Sequence, residues 1–170
     1  MASFRISVFN SKELQGVIVA MQGFEPELNK QIRKATKKVV EPEWRAAVEK
    51  RAVTDIEKQV LGSTARATVS NQNVTLTSAS IGRSLSGGLK PSESFAGVEF
   101  GANPAVRKRV KATSTKGKKY SVTRHTQRQL APRRKTGYVV MPAVAEIIPR
   151  IAALWVQTTV RTFYDLIEKK

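Results

Sequence analysis

The sequence predicts an α+β fold: an antiparallel β-sheet of about four to five strands, packed by a long helix from the N-terminal half and a long C-terminal helix, with a long basic loop between two strands. Three observations predict it. Leu28, Ile32, Ala35 and Val39 recur at helical spacing, as do Val144, Ile148, Ile151, Trp155, Thr159, Phe163 and Leu166. Between these segments Ala65, Ala67 and Val69, then Val74, Leu76 and Ser78, alternate with polar residues, the period of a half-buried strand. The 170 residues are read as one domain, 1–170, long enough to bury a core without a metal or disulfide staple.

In chain order, Phe4, Ile6 and Val8 alternate with Arg5, Ser7 and Phe9 as a short strand. Ser11 is placed as the N-cap of a short helix over Lys12 to Met21, ended by Gly23. Pro26 in a first turn, with Glu25 and Glu27 at the positive end of the dipole, starts the first long helix. Pro42 removes a backbone donor and is expected to end or kink it near Val39, with a second helical piece from Glu43 through Trp44 towards Leu61. Asn71, Gln72 and Asn73 form a hairpin turn, with Asn suited to positive φ. Phe95 to Ala102 (FAGVEFGA) and Thr136 to Met141 (TGYVVM) read as strands, the second broken by Pro142. Pro149 kinks the closing helix or marks its first turn, and Lys169 and Lys170 suit its negative end.

Charge is distributed unevenly. Residues 103–135 hold 12 Lys or Arg and no acid, supplying +12 of the net +17. The rest is nearly balanced: 11 bases against 8 acids over residues 1–60, 3 against 2 over 61–102, and 4 against 3 over 136–170. The excess is therefore an extended loop or arm on a near-neutral scaffold, and such self-repulsion implies a polyanion or an acidic neighbouring surface. A loop well beyond about 15 residues is functional or disordered. The candidate anion contacts are Arg107, Lys108, Arg109, Lys111, Lys116, Lys118, Lys119, Arg124, Arg128, Arg133, Arg134 and Lys135. Flexible Thr113, Ser114, Thr115, Gly117 and Ser121 lie among them, a mixture suited to phosphate contact without base reading. Tyr120 is the one aromatic residue in the run, so stacking on single strands is not expected. The basic face of the first long helix, Arg33, Lys34, Lys37 and Lys38, is read as solvated.

The chemistry for catalysis is thin. There is no cysteine, hence no thiolate nucleophile, disulfide framework or Cys-based zinc site. His125 is the only histidine, which excludes a two-histidine acid–base pair or metal cluster, and it is read as a surface polar residue. Glu93 and Glu99 are read as ordinary strand-end charges rather than paired carboxylates. Ser86-Gly87-Gly88 lacks the lysine and preceding apolar strand of a phosphate-binding loop and is read as a hairpin turn. Trp44, Trp155 and Phe163 fall at core spacing. No enzyme activity, cofactor or metal is expected. The N-terminus MASFRISVFN lacks signal-peptide features, and no stretch is read as reaching the roughly 18 apolar residues of a membrane span. The chain is expected to be soluble and intracellular where it is made.

Three words carry a family resemblance: the basic helix ELNKQIRKATKKVVEPEWR, the segment AGVEFGA and the closing YVVMPAVAEIIPRIAALW. Over most of residues 25–168 the chain resembles the neck proteins of long-tailed bacteriophages, the tail-completion or tail-to-head joining group described as minor tail components. In that family a VEFG-like strand is followed, after a variable connection, by an apolar strand, a proline and a long helix. The resemblance implies a structural virion protein at the head–tail junction, synthesised in the host cytoplasm. Its implied partners are copies of itself in a ring, commonly sixfold, a head-closure or connector protein, a tail terminator or tail tube protein, and the genome in the lumen, with no membrane. The long basic connection and Pro149 depart from the family pattern, and the family supplies no catalytic residues. The alternative from the residues themselves is a non-enzymatic DNA- or RNA-binding protein using 103–135; a nuclease or toxin using His125 is the third reading.

Overall fold

A computed structural model describes residues 2–6, 12–86, 88–124 and 126–168. Its helices are α1 (Lys12–Gln22), α2 (Pro26–Arg51), α3 (Asp55–Glu57, running into a π-helical turn at Lys58–Gly62), α4 (Pro91–Phe100) and α5 (Val140–Ile167). Strands β1 (Ala2–Ile6), β2 (Arg66–Val69) and β3 (Val74–Ser78) form one antiparallel sheet in the order β1-β3-β2. Strands β4 (Lys108–Thr113) and β5 (Lys119–Arg124) form a separate antiparallel ribbon. The α+β class and both long helices are present, but the strands divide into three and two, with no single sheet of four to five.

The core lies where α2 and α5, running in opposite directions, meet the three-stranded sheet. Ile32, Val40, Trp44 and Val48 of α2 are fully buried with Val74 and Leu76 of β3 and Ile151 and Trp155 of α5. Trp44 also donates its Nε1–H to the Thr77 carbonyl at 3.1 Å, tying helix to sheet. Phe163, near the end of α5, stacks on Phe24 ahead of α2 with centroids 5.0 Å apart. Ion pairs stitch the same two helices: Arg51 to Glu146 at 2.6 Å and Arg150 to Glu43 at 2.8 Å.

Pro42 does not end α2, which runs through it to Arg51. Val40, Trp44 and Val48, one turn apart and buried without residual exposure, hold the helix against the core across the lost hydrogen bond. The break comes at Ala52–Thr54, where Thr54 and Glu57 form a reciprocal capping box that starts α3. Likewise α5 is continuous through Pro149 and begins well before it, at Val140.

The 70–73 turn also departs from expectation. Positive φ occurs, among described non-glycine residues, at Ala79 alone. The turn is closed instead by Ser70, whose Oγ accepts from Gln72 N and Asn73 N. The proposed cap Ser11 lies outside the described residues, as do Ser7 to Phe9 of the expected first strand, Gly87, His125, Lys169 and Lys170.

Neither strand predicted to bracket the basic run exists. Residues 95–100 belong to α4, which starts at Pro91 and stops at Gly101 with φ 71°. Val140 and Met141 are the first residues of α5, and Pro142 sits in its first turn, where proline is tolerated. A short apolar run has no period that separates strand from helix, and here Pro91 and Gly101 punctuate a helix. The reading that no stretch is long and apolar enough for a span does not hold for α5: Val140–Asp165 passes by length and composition alone, with mean hydropathy 1.3 and 33% of that window buried, as a core helix also can. Ile147, Ile151 and Trp155 of this segment pack in the core.

Candidate functional site

The basic run is an arm between two helices, and much of it is regular structure. Register runs from Lys108 opposite Arg124 to Thr113 opposite Lys119. The tip, Ser114 to Lys118, is closed by Ser114 N to Lys118 O and Gly117 N to Ser114 O, both 2.9 Å, with Gly117 at φ 76°. A short 3-10 turn, Thr126–Gln129, leads back to the scaffold.

The base of the arm is closed by backbone bonds between segments far apart in sequence. Ala102 N donates to Ala131 O at 2.9 Å, Arg134 N to Phe100 O at 2.8 Å and Tyr138 N to Glu99 O at 2.9 Å. The flanks of the arm thus lie side by side, as a strand pair would place them, without forming a sheet.

Glu99 is the fixing point. Its side chain is fully buried and reaches across to the start of α5, where no local side chain caps the helix. Oε2 accepts from Val139 N at 3.3 Å and Val140 N at 2.8 Å, and Oε1 accepts from Met141 N at 2.9 Å. The carboxylate thereby satisfies three N–H groups that a helix start leaves without intrahelical partners and sits at the positive end of the dipole. Gly137 makes room for it: a Cβ there would lie 2.2 Å from Glu99 Oε1. Gly101 does the same for the arm's return, since its Cβ would lie 2.1 Å from Pro132 O. Glu93, by contrast, is exposed and pairs with Lys90 at 3.0 Å, so the two acids read together in the sequence have unrelated roles.

The predicted contact residues are spread along the arm. Arg107 leads into β4; Lys108, Arg109 and Lys111 lie on it; Lys116 and Lys118 occupy the tip; Lys119 and Arg124 bound β5. Arg128 is in the 3-10 turn, and Arg133, Arg134 and Lys135 stand at the base. Those of described exposure are all exposed. The base trio rims an open cleft of about 700 Å³ floored by Gly97, Phe100 and Leu130. Arg134 is held there by its Nε–H to Thr136 Oγ1 at 2.8 Å and by its guanidinium, 5.4 Å from the centre of the Tyr138 ring.

Among the arm cations other than Arg124, none lies within ion-pair distance of a carboxylate of the described residues. Several of the scaffold's cations are paired: Lys37 and Arg45 flank Glu41, and Lys50 and Arg51 flank Glu146. The hydrogen-bonded Arg51 guanidinium and the Lys50 charge hold the Glu146 carboxyl below its ordinary range. No group of three His, Cys, Asp or Glu side chains that could hold a metal ion occurs among the described residues.

Sequence reasoning missed Glu99. The available signal was an acid inside an apolar run, facing a helix start whose own N-cap position, Val139, has no side-chain acceptor. Comparisons of the chain with family models, with curated proteins and with solved structures give no match.

Proposed function

We propose that the chain is a structural component of a tailed-bacteriophage virion, forming a ring at the neck that joins the head connector to the tail tube around the DNA channel. The observation that carries this reading is an arm of 12 bases and no acid projecting from a scaffold whose bases and acids nearly balance. An isolated domain gains nothing from such an arm; a ring subunit facing a polyanion does. The words AGVEFGA and YVVMPAVAEIIPRIAALW, through which the chain resembles neck proteins, are joined by the Glu99 contacts into one unit at the arm's base. That α4 replaces the family's VEFG strand limits the resemblance to the order and joining of these segments. Val19 on α1 and Val160 and Tyr164 on α5 are apolar or aromatic surface available to neighbouring copies.

The test is mass spectrometry of purified particles from the phage encoding the chain, with negative-stain microscopy of the protein bound to its connector. Presence in the particle and closed rings support the reading. Absence from the particle, together with monomers alone on the connector, contradicts it.

A further inference from the structure

Side chains on a strand alternate between faces, and residues opposite one another across an antiparallel pair share a face. The register therefore sorts the arm's ribbon into two unlike surfaces. Val110 opposite Val122 and Ala112 opposite Tyr120 make one face apolar towards the tip, and the row of Lys108 opposite Arg124 ends that same face at the ribbon's base. On the other face three successive rows each pair one cation with one hydroxyl: Arg109 with Thr123, Lys111 with Ser121, and Lys119 with Thr113. All six of these residues are exposed. Rows on one face repeat roughly every 6.8 Å, two residues of strand rise.

We infer that this cation–hydroxyl face binds the phosphodiester backbone of duplex DNA without reading its sequence. Each row offers a positive charge and a hydroxyl donor, the groups that proteins direct to phosphate oxygens. Tyr120 lies on the opposite face, so the surface has no platform for stacking the bases of a single strand. An acidic protein is the weaker fit, because protein interfaces are built around an apolar core from which lysine is depleted, and here the apolar residues point away. Of the five bases on the ribbon's strands, three lie on this face and are the principal contacts; Lys108 and Arg124 share a row on the other face, and the trio at the arm's base belongs to a separate cleft. The inference rests on the ring reading only for where duplex DNA is met; the surface itself is argued from the ribbon alone.

The test is anisotropy of the full chain with a labelled duplex of arbitrary sequence, titrated from about 50 to 200 mM salt, the range over which phosphate contacts show. The triple variant Arg109→Gln, Lys111→Gln, Lys119→Gln is expected to reduce the log–log slope by about 2.7, from roughly 0.9 per phosphate contact. The equally charged triple Lys34→Gln, Lys38→Gln, Arg83→Gln, outside the arm, is expected to leave the slope near wild type. A second variant, Ser121→Val with Thr123→Val, keeps every charge and the strand propensity; weaker binding at unchanged slope is expected.

Equal slope loss in both triples, no duplex binding at about 50 mM salt, or displacement of the duplex by polyglutamate as effective as by unlabelled duplex would each overturn the inference. Closed rings whose DNA binding ignores the ribbon triple would also overturn it while leaving the ring reading intact. Ribbon-dependent binding by a chain absent from particles would uphold it and remove the ring reading.

Discussion

Replacing Glu99 tests the joint between arm and scaffold. In Glu99→Ala three N–H groups at the start of α5, two of them on the fully or almost fully buried residues Val139 and Val140, lose their acceptor. A hydrogen bond to a charged group contributes about 1.5–3 kcal/mol, and a buried donor left unsatisfied costs about 1–3 kcal/mol. These terms overlap, and water entering the vacated space recovers part of them, so the expected net loss is about 3–5 kcal/mol. That is a large share of the roughly 5–15 kcal/mol by which a domain is stable. Glu99→Gln retains one oxygen, able to serve Val139 and Val140, but turns an NH2 towards Met141 N; about 1.5–3 kcal/mol is expected. Urea unfolding followed by the fluorescence of the buried Trp44 and Trp155 measures both. Hydrogen exchange at Val139 to Met141 locates the effect. A loss below about 1 kcal/mol in Glu99→Ala, the scale of one ordinary neutral bond, with unchanged protection of those amides, would refute the reasoning.

Gly101→Ala forces a Cβ against the Pro132 carbonyl at a position with φ 71°, so trypsin is expected to cut the arm faster than in wild type while the helices persist by circular dichroism. Trp44→Phe loses the bond to Thr77 O, whereas Trp155 Nε1 is buried without a partner among the described residues. The first substitution is therefore expected to cost about 1 kcal/mol more than Trp155→Phe in the same urea assay. The Glu146 carboxyl is depressed in the folded state below its ordinary 4.5, so the stability from its Arg51 and Lys50 pairs is present above that value and is lost as pH falls through the folded one. Glu146→Gln should accordingly flatten the acid limb of melting temperature against pH, and an unchanged limb would contradict the assignment.

Long elements were legible because their periodicity is repeated over many turns: α5 follows from the spacing of its apolar residues and the β2–β3 pair from strict alternation. Helix α2, in contrast, was found through a stripe of Leu28, Ile32, Ala35 and Val39 of which only Ile32 is buried, the buried face being Asn29, Ile32, Thr36, Val40, Trp44 and Val48. Proline was weighed too heavily. At Pro42 and Pro149 tertiary burial outweighs a local backbone penalty that no single-segment reading can offset. The segments beside the arm were misread because FAGVEFGA and TGYVVM are too short to display a period, and their state is decided by a contact between them. Glu99 could not be placed as a cap while its own segment was read as a strand. The arm's charge was plain from composition, but which cations share a face with hydroxyls and which with apolar residues needs the register, which the tip turn at Ser114–Lys118 sets.

A cryo-electron microscopy reconstruction of the neck of the virion to which the proposal assigns the chain tests that proposal most directly. The account predicts a closed ring of this chain with residues 108–124 extended into the channel and the row of Arg109, Lys111 and Lys119 against the DNA backbone. A neck built without this chain, or a ring whose ribbons all point away from the channel, would contradict it.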